Sequence, residues 1–105
     1  MAINTAILAK VKTSLRISHT VLDEDVADNV NACLADLKMA GILGSKLDGS
    51  RGLDPLILNA VKLYCKASYT DDTAKADRYQ DGYDALKACL MLAEGYGYEE
   101  VDTDE

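Results

Sequence analysis

The 105-residue chain has no phenylalanine, no tryptophan, one proline and one histidine. Every large ring side chain is therefore one of six tyrosines, each with an apolar body and a polar tip. No apolar run approaches the roughly 20 residues needed to span a bilayer, so no membrane segment is expected. The opening MAINTAILAKVK lacks a basic leader and a long apolar stretch, which favours synthesis in the cytoplasm. The three cysteines, Cys33, Cys65 and Cys89, are odd in number, far apart and outside any C-x-x-C pair. All three fall on apolar helical faces, and they read as reduced core residues. G-x-S-x-G, Walker-type glycine loops and H-E-x-x-H are missing too, so neither a catalytic centre nor a cofactor is expected. His19, in ISHTVLDED, has no nucleophile motif to serve and reads as an exposed loop residue.

The net charge of −7 is unevenly placed. Glu94, Glu99, Glu100, Asp102, Asp104 and Glu105 are six of the eighteen carboxylates, and residues 1–93 balance the other twelve against eleven cations. The body is thus nearly neutral and the acidity is a tail. No basic patch stands out, and tight binding of a phosphate backbone is not expected.

Four segments show helical periodicity. Ile3, Ile7, Leu8, Val11 and Leu15 make one stripe over residues 3–15, with Lys10, Lys12 and Arg16 towards the end where cations suit the helix dipole. Residues 24–40 follow, with Asp23 as the expected N-cap, Val26, Val30, Cys33, Leu34 and Leu37 as the inner face, and Gly41 placed to end the helix in a left-handed conformation. The connection ILGSKLDGSRGL, residues 42–53, holds three of the seven glycines. Its apolar Ile42, Leu43, Leu47 and Leu53 are expected to pin it to the body. Ordered loops of this length are often functional.

The third helix spans 55–69, with Asp54 as cap and Pro55 at the first position, where a missing N–H costs nothing. Leu56, Ile57, Ala60, Val61, Tyr64 and Cys65 form its inner face, while Leu58 and Leu63 fall outside it. A helix apolar on most sides is buried on most sides. Either it is central, or one flank waits for another subunit. The fourth helix spans 74–93, with Ala76, Tyr79, Tyr83, Leu86, Leu90 and Ala93 inward, Thr73 or Asp72 as cap and Gly95 as stop. Gly82 inside it suggests a close crossing or a kink. The fold class is therefore all-α: a bundle of about four helices with a long 42–53 loop. The expected division is a helical domain over 1–94 and an acidic tail over 95–105.

Asp23, Glu24, Asp25 and Asp28 could be imagined as a magnesium site, but capping already explains Asp23 and Glu24. Asp77, Asp81 and Asp84 interleave with Lys75, Arg78 and Lys87, as on a solvated, ion-paired face. No metal site is expected. The tyrosines suit either partial burial with the hydroxyls in water or a subunit surface. The tail reads as a solubilising segment, or, through Tyr96, Tyr98 and Val101, as an element that adds to a partner's groove or sheet edge.

The order SLRIS, then DEDVADNVNACLADLK, a glycine-bearing loop, LDPLILNAVKLYCKASYTD and ADRYQDGYDALKACL resembles the small head-tail connector (adaptor, or DNA-packaging) proteins of tailed bacteriophages. The resemblance spans roughly residues 3–93. Its most specific piece is D-P-x-x-x-x-A-V-x-L-Y at Asp54, Pro55, Ala60, Val61, Leu63 and Tyr64. The acidic tail lies outside the pattern. The resemblance implies a virion structural protein rather than an enzyme. About a dozen copies would form a ring beneath the portal protein, extend a DNA channel that passes DNA without specific binding, and dock the tail or stopper proteins. Leu58, Leu63, Tyr64, Tyr69 and Tyr83 are then candidates for subunit contacts, and Leu43, Leu47, Arg51, Tyr96 and Tyr98 for contacts with portal or tail components. A different reading is a small helical adaptor or regulator acting through its acidic tail.

Overall fold

The computed structural model describes residues 5–18, 20–42, 47 and 53–92. Those residues form four main helices and no strand: α1 Thr5–Leu15, α2 Asp23–Met39, α3 Pro55–Tyr69 and α4 Thr73–Leu92. Ile3, His19, Leu43, Arg51, Ala93, Gly95, Tyr96, Tyr98 and the acidic tail lie outside the described residues.

Helix α2 buries the whole stripe its spacing predicts, and the other three bury part of theirs. Ile7 and Val11 of α1 are buried, with Leu8 and Leu15 packed beside them. All five inner residues of α2 are buried. In α3 the buried set is Ile57, Ala60, Val61 and Cys65, and in α4 it is Tyr83 and Leu90. Full burial of an aliphatic side chain contributes about 1.5–3 kcal/mol. Helix α3 is central: it packs against α1, α2 and, most extensively, α4. Of the two readings of its wide apolar surface, the central position is the one that the packing shows, since three helices lie against it. Ile42, Leu47 and Leu53 of the connection pack on the same core.

The helix ends follow local chemistry, with one correction. Asp54 Oδ1 accepts the Leu56 N–H at 2.9 Å, with Pro55 in the first turn. Asp72 Oδ1 accepts the Lys75 N–H at 3.1 Å, so Asp72 rather than Thr73 caps α4. At the end of α2, Gly41 adopts φ 103°, its N–H bonds Lys38 O and the Ile42 N–H bonds Leu37 O. This pair of bonds closes the helix and packs Ile42 towards the core. Asp23 is not the N-cap of α2. Leu22 holds that position without a side-chain cap, and Asp23 is the first helical residue. Its carboxylate is taken by Lys12 of α1 at 2.6 Å, which ties the two helices together.

Three further expectations change. Cys89 is exposed, while Cys33 and Cys65 are buried and free. Leu56, placed on the inner face by periodicity, is exposed. Lys87 does not pair along its own helix; it crosses to Asp36 of α2 at 3.1 Å. The other acidic residues of α4 are exposed, and Asp84 accepts from Gln80.

Gly82 lies within the continuous α4 and does not require glycine. A Cβ there would meet the Leu63 methyls at 3.6 Å, ordinary contact. Gly82→Ala is therefore expected to stabilise the fold by about 0.5–1 kcal/mol, through lower unfolded-chain entropy and better helix propensity. Urea unfolding checks this: the midpoint should rise with the slope unchanged.

Candidate functional site

Hydrogen bonds between helices define which ends of the bundle lie together. The Tyr69 hydroxyl, at the end of α3, donates to Asp25 at 2.5 Å and accepts from Asn29 at 3.1 Å, both near the start of α2. Tyr64, more than a turn earlier in α3, packs on Tyr83, which bonds Asp36 further along α2, so α2 and α3 run in opposite directions. The link Thr70–Asp72 is short, and α4 runs back along α3. The end of α2, the start of α3 and the end of α4 thus share one end of the bundle. The end of α1, the end of α3 and the start of α4 share the other.

The first of these ends carries four apolar side chains open to water. Met39 is 88% exposed, Leu92 88%, Leu56 46% and Met91 39%. Scattered exposed apolar residues are ordinary, but these four all lie in helix-end turns at the same end of the bundle. Val21, also exposed, sits apart in the turn before α2.

The opposite end carries a cleft of about 400 Å³ whose lining includes Arg16, Lys66, Tyr69, Thr70, Lys75 and Tyr79. The Lys66 ammonium lies 5.6 Å from the Tyr79 ring centroid, within range for attraction to the ring face. Arg16 has φ 61°. It takes the left-handed position that ends α1: its N–H bonds Thr13 O, and the Ile17 N–H bonds Lys12 O. Glycine is the usual residue there, and a side chain costs about 1 kcal/mol.

Between the two ends, α2 and α4 are joined by a polar knot. The Tyr83 hydroxyl donates to Asp36 Oδ2 at 2.6 Å, and Lys87 Nζ reaches the same oxygen at 3.1 Å. The Cys33 thiol donates to the Tyr83 oxygen at 3.8 Å. Tyr64 meets the Tyr83 ring edge-on, with centroids 5.3 Å apart and planes at 71°. The Tyr83 hydrogen bond, helped by Lys87, holds the Asp36 carboxyl below the usual carboxylate range. Burial, and then the bond to Asp36, push the Tyr83 hydroxyl far above the usual tyrosine range. Burial also raises the Tyr69 hydroxyl and the Cys33 and Cys65 thiols to about 12 each. Raised thiols are poor nucleophiles, and the tyrosine–carboxylate bonds act here as ties between helices.

The residues expected at subunit contacts all pack in or against the core. Leu58, Leu63, Tyr64 and Tyr69 are half-buried and pack on the core. Tyr83 is corrected from contact residue to core residue: it is 1% exposed, because its ring is closed in by α2 and α3. Leu47, proposed for a partner contact, is buried. Leu43, Arg51, Tyr96 and Tyr98 are outside the described residues. The exposed Met39, Leu56, Met91 and Leu92, and the cleft cations, were missed. The only hint was that these side chains lie in the end turns of their helices, where neighbours run out.

Among the described residues no group of histidine, cysteine or carboxylate side chains is arranged to hold a metal ion, and no helix is long and apolar enough to cross a membrane. Of the acidic set near the start of α2, Asp23 is held by Lys12 and Asp25 by Tyr69.

Comparison with known proteins finds no match among curated proteins or among solved structures. A family model described as phage connector protein matches residues 7–97. The match runs from α1 through the whole of α4, so it covers all four helices and the core they share, and the chain belongs to the phage connector protein family.

Proposed function

We propose that this chain is a head-tail connector of a tailed phage. About a dozen copies close into a ring beneath the portal, extend the DNA channel and offer a docking surface to the tail or its stopper proteins. The observation that carries the reading is the family match over residues 7–97. The apolar end formed by Met39, Leu56, Met91 and Leu92 supports it, since a lone copy leaves that surface in water. A ring places two different patches of each copy against its neighbours, and closes when the rotation between them does. The near-neutral body also suits a channel, because a strongly basic wall would hold DNA through counterion release.

The role requires no cofactor, no metal and no catalytic residue. The work is done by shape and by buried contact area. Leu58, Leu63, Tyr64 and Tyr69 remain as half-buried borders of a lateral contact, with their exposed atoms available to a neighbour. An aspartate at Leu58 would also damage the core on which Leu58 packs. Exposed residues give a cleaner test.

Electron microscopy of the purified chain, alone and mixed with the portal protein of the same phage, is expected to show rings, with portal-bound rings in the mixture. Phage lacking this protein should accumulate heads without attached tails. Intact virions from such phage would overturn the reading.

A further inference from the structure

The cleft at the cationic end is not explained by stacking four helices. Arg16, Lys66 and Lys75 come from three different helix ends and line one cavity with two tyrosines and Thr70. Its described lining holds no carboxylate; Asp25 and Asp72, which accept from the Tyr69 hydroxyl and the Lys75 backbone N–H, are not among the lining residues. Its volume of about 400 Å³ is within the range of pockets that hold a ligand or a few side chains. Arg16 carries a cation at a backbone position that favours glycine, and local strain of this kind is often kept for function.

We propose that this cleft is a binding site for an acidic peptide segment, and that its occupant is residues 94–105 of a neighbouring copy. That segment, EGYGYEEVDTDE, holds six carboxylates and no cation. It is the largest block of like charge in the chain, and its sign is opposite to that of the cations lining the cleft. The segment begins beyond Leu92, at the bundle end away from the cleft. Lys75 and Leu92, seventeen helical residues apart, are separated by about 26 Å. A segment returning to its own cleft would use about eight residues, at about 3.3 Å each, to cover that distance. Glu94, Glu99 and Glu100 would be used up on the way. A neighbour that turns its cleft towards this end meets all six carboxylates. The inference rests on the multi-copy reading above only in requiring a second copy.

Two measurements on the full chain test it. A fluorescein-labelled peptide of residues 94–105 should bind the full chain saturably by anisotropy. Binding should weaken at least about tenfold in Lys66→Glu/Lys75→Glu, persist in Lys66→Arg/Lys75→Arg, and fade with salt, as expected for partly exposed ion pairs. The exposed Lys75→Glu alone, which the fold tolerates, should weaken it in the same direction. Arg16→Gly should also weaken it while raising the thermal midpoint, because glycine relieves the left-handed strain. Carbodiimide coupling of an equal mixture of ¹⁴N and ¹⁵N chains should then give mixed-isotope links between Lys66 or Lys75 and carboxylates of 94–105.

Equal peptide affinity for wild type and the glutamate variant would overturn the site. Links confined to one isotope would overturn the neighbouring copy as occupant. Displacement of the peptide by a short DNA duplex, with no such links, would assign the cleft to phosphate and overturn the proposal. The peptide and isotope measurements need a second copy but not a ring, so a chain that passes both without forming rings fails the connector reading alone. A chain that assembles without binding the peptide fails this one.

Discussion

Leu56→Asp combined with Leu92→Asp is expected to leave a folded helical chain that no longer assembles. Both side chains are exposed in the single copy, Leu92 at 88% and Leu56 at 46%, so their replacement should change stability by about 0.5 kcal/mol or less. Aspartate in the first turn of α3 is even favoured by the helix dipole, and in the last turn of α4 it is slightly disfavoured. At a subunit contact the same change is severe. A carboxylate buried without a partner costs several kcal/mol, and a closed ring repeats that cost at every contact. The expected outcome is an unchanged circular dichroism spectrum with loss of rings, measured by light scattering and microscopy in the presence of the portal protein. Rings equal in number to wild type would remove the apolar end from the assembly surface. Leu56→Asn/Leu92→Asn should give a smaller loss, because an uncharged amide costs less to bury.

Tyr83→Phe is expected to destabilise the fold by about 1–2 kcal/mol. The ring is buried and would stay in place against Tyr64. What is lost is the hydroxyl that donates to Asp36 and accepts from Cys33. Hydrogen bonds to charged groups contribute about 1.5–3 kcal/mol, reduced here because the Asp36 side chain is 41% exposed and retains water and Lys87. The pH dependence is the sharper readout. Asp36 has a lowered folded-state pKa, so its contribution is present above the ordinary carboxylate value of 3.8 and is lost as pH falls through the folded value. Tyr83 has a raised one, so its contribution is full below the ordinary value of 10.0 and declines as pH rises beyond it.

Phenylalanine should therefore flatten the acid limb, since Asp36 loses the main cause of its shift, and move alkaline unfolding to higher pH. The Cys33 and Cys65 thiols, raised from 9.0 to about 12, keep part of the alkaline limb in the variant. Urea midpoints between pH 2 and 11 check both limbs. Unaltered limbs would mean that the Tyr83–Asp36 bond does not control the titration of either group.

The inner face of α2 was readable residue by residue, because Val26, Val30, Cys33, Leu34 and Leu37 repeat at the period of the helix and one face is buried along its whole length. The stop at Gly41 and the start at Asp54 and Pro55 were readable for a local reason: each is settled by atoms within a few residues. Asp23 was misread because capping and cross-helix pairing call for the same residue type, and Lys12 lies on another helix. Leu56 and Leu63 show the same limit. Both look equally apolar in sequence. Leu63 packs beneath α4 near Gly82, while Leu56 stands where the neighbouring helices end.

Alone, the order of residues determined the four helices, the stop at Gly41 and the start at Asp54, the placement of the acidic charge and, through its likeness to known connectors, the family. These are properties of short windows or of a recurring pattern. Tertiary structure decided which tyrosine is core, which leucines meet water, where Asp36 finds Tyr83 and Lys87, and that three cations from three helix ends share one cleft. Periodicity specifies the side of a helix a residue occupies. Whether another helix lies against that side depends on the lengths and directions of all four, and no local window contains that information.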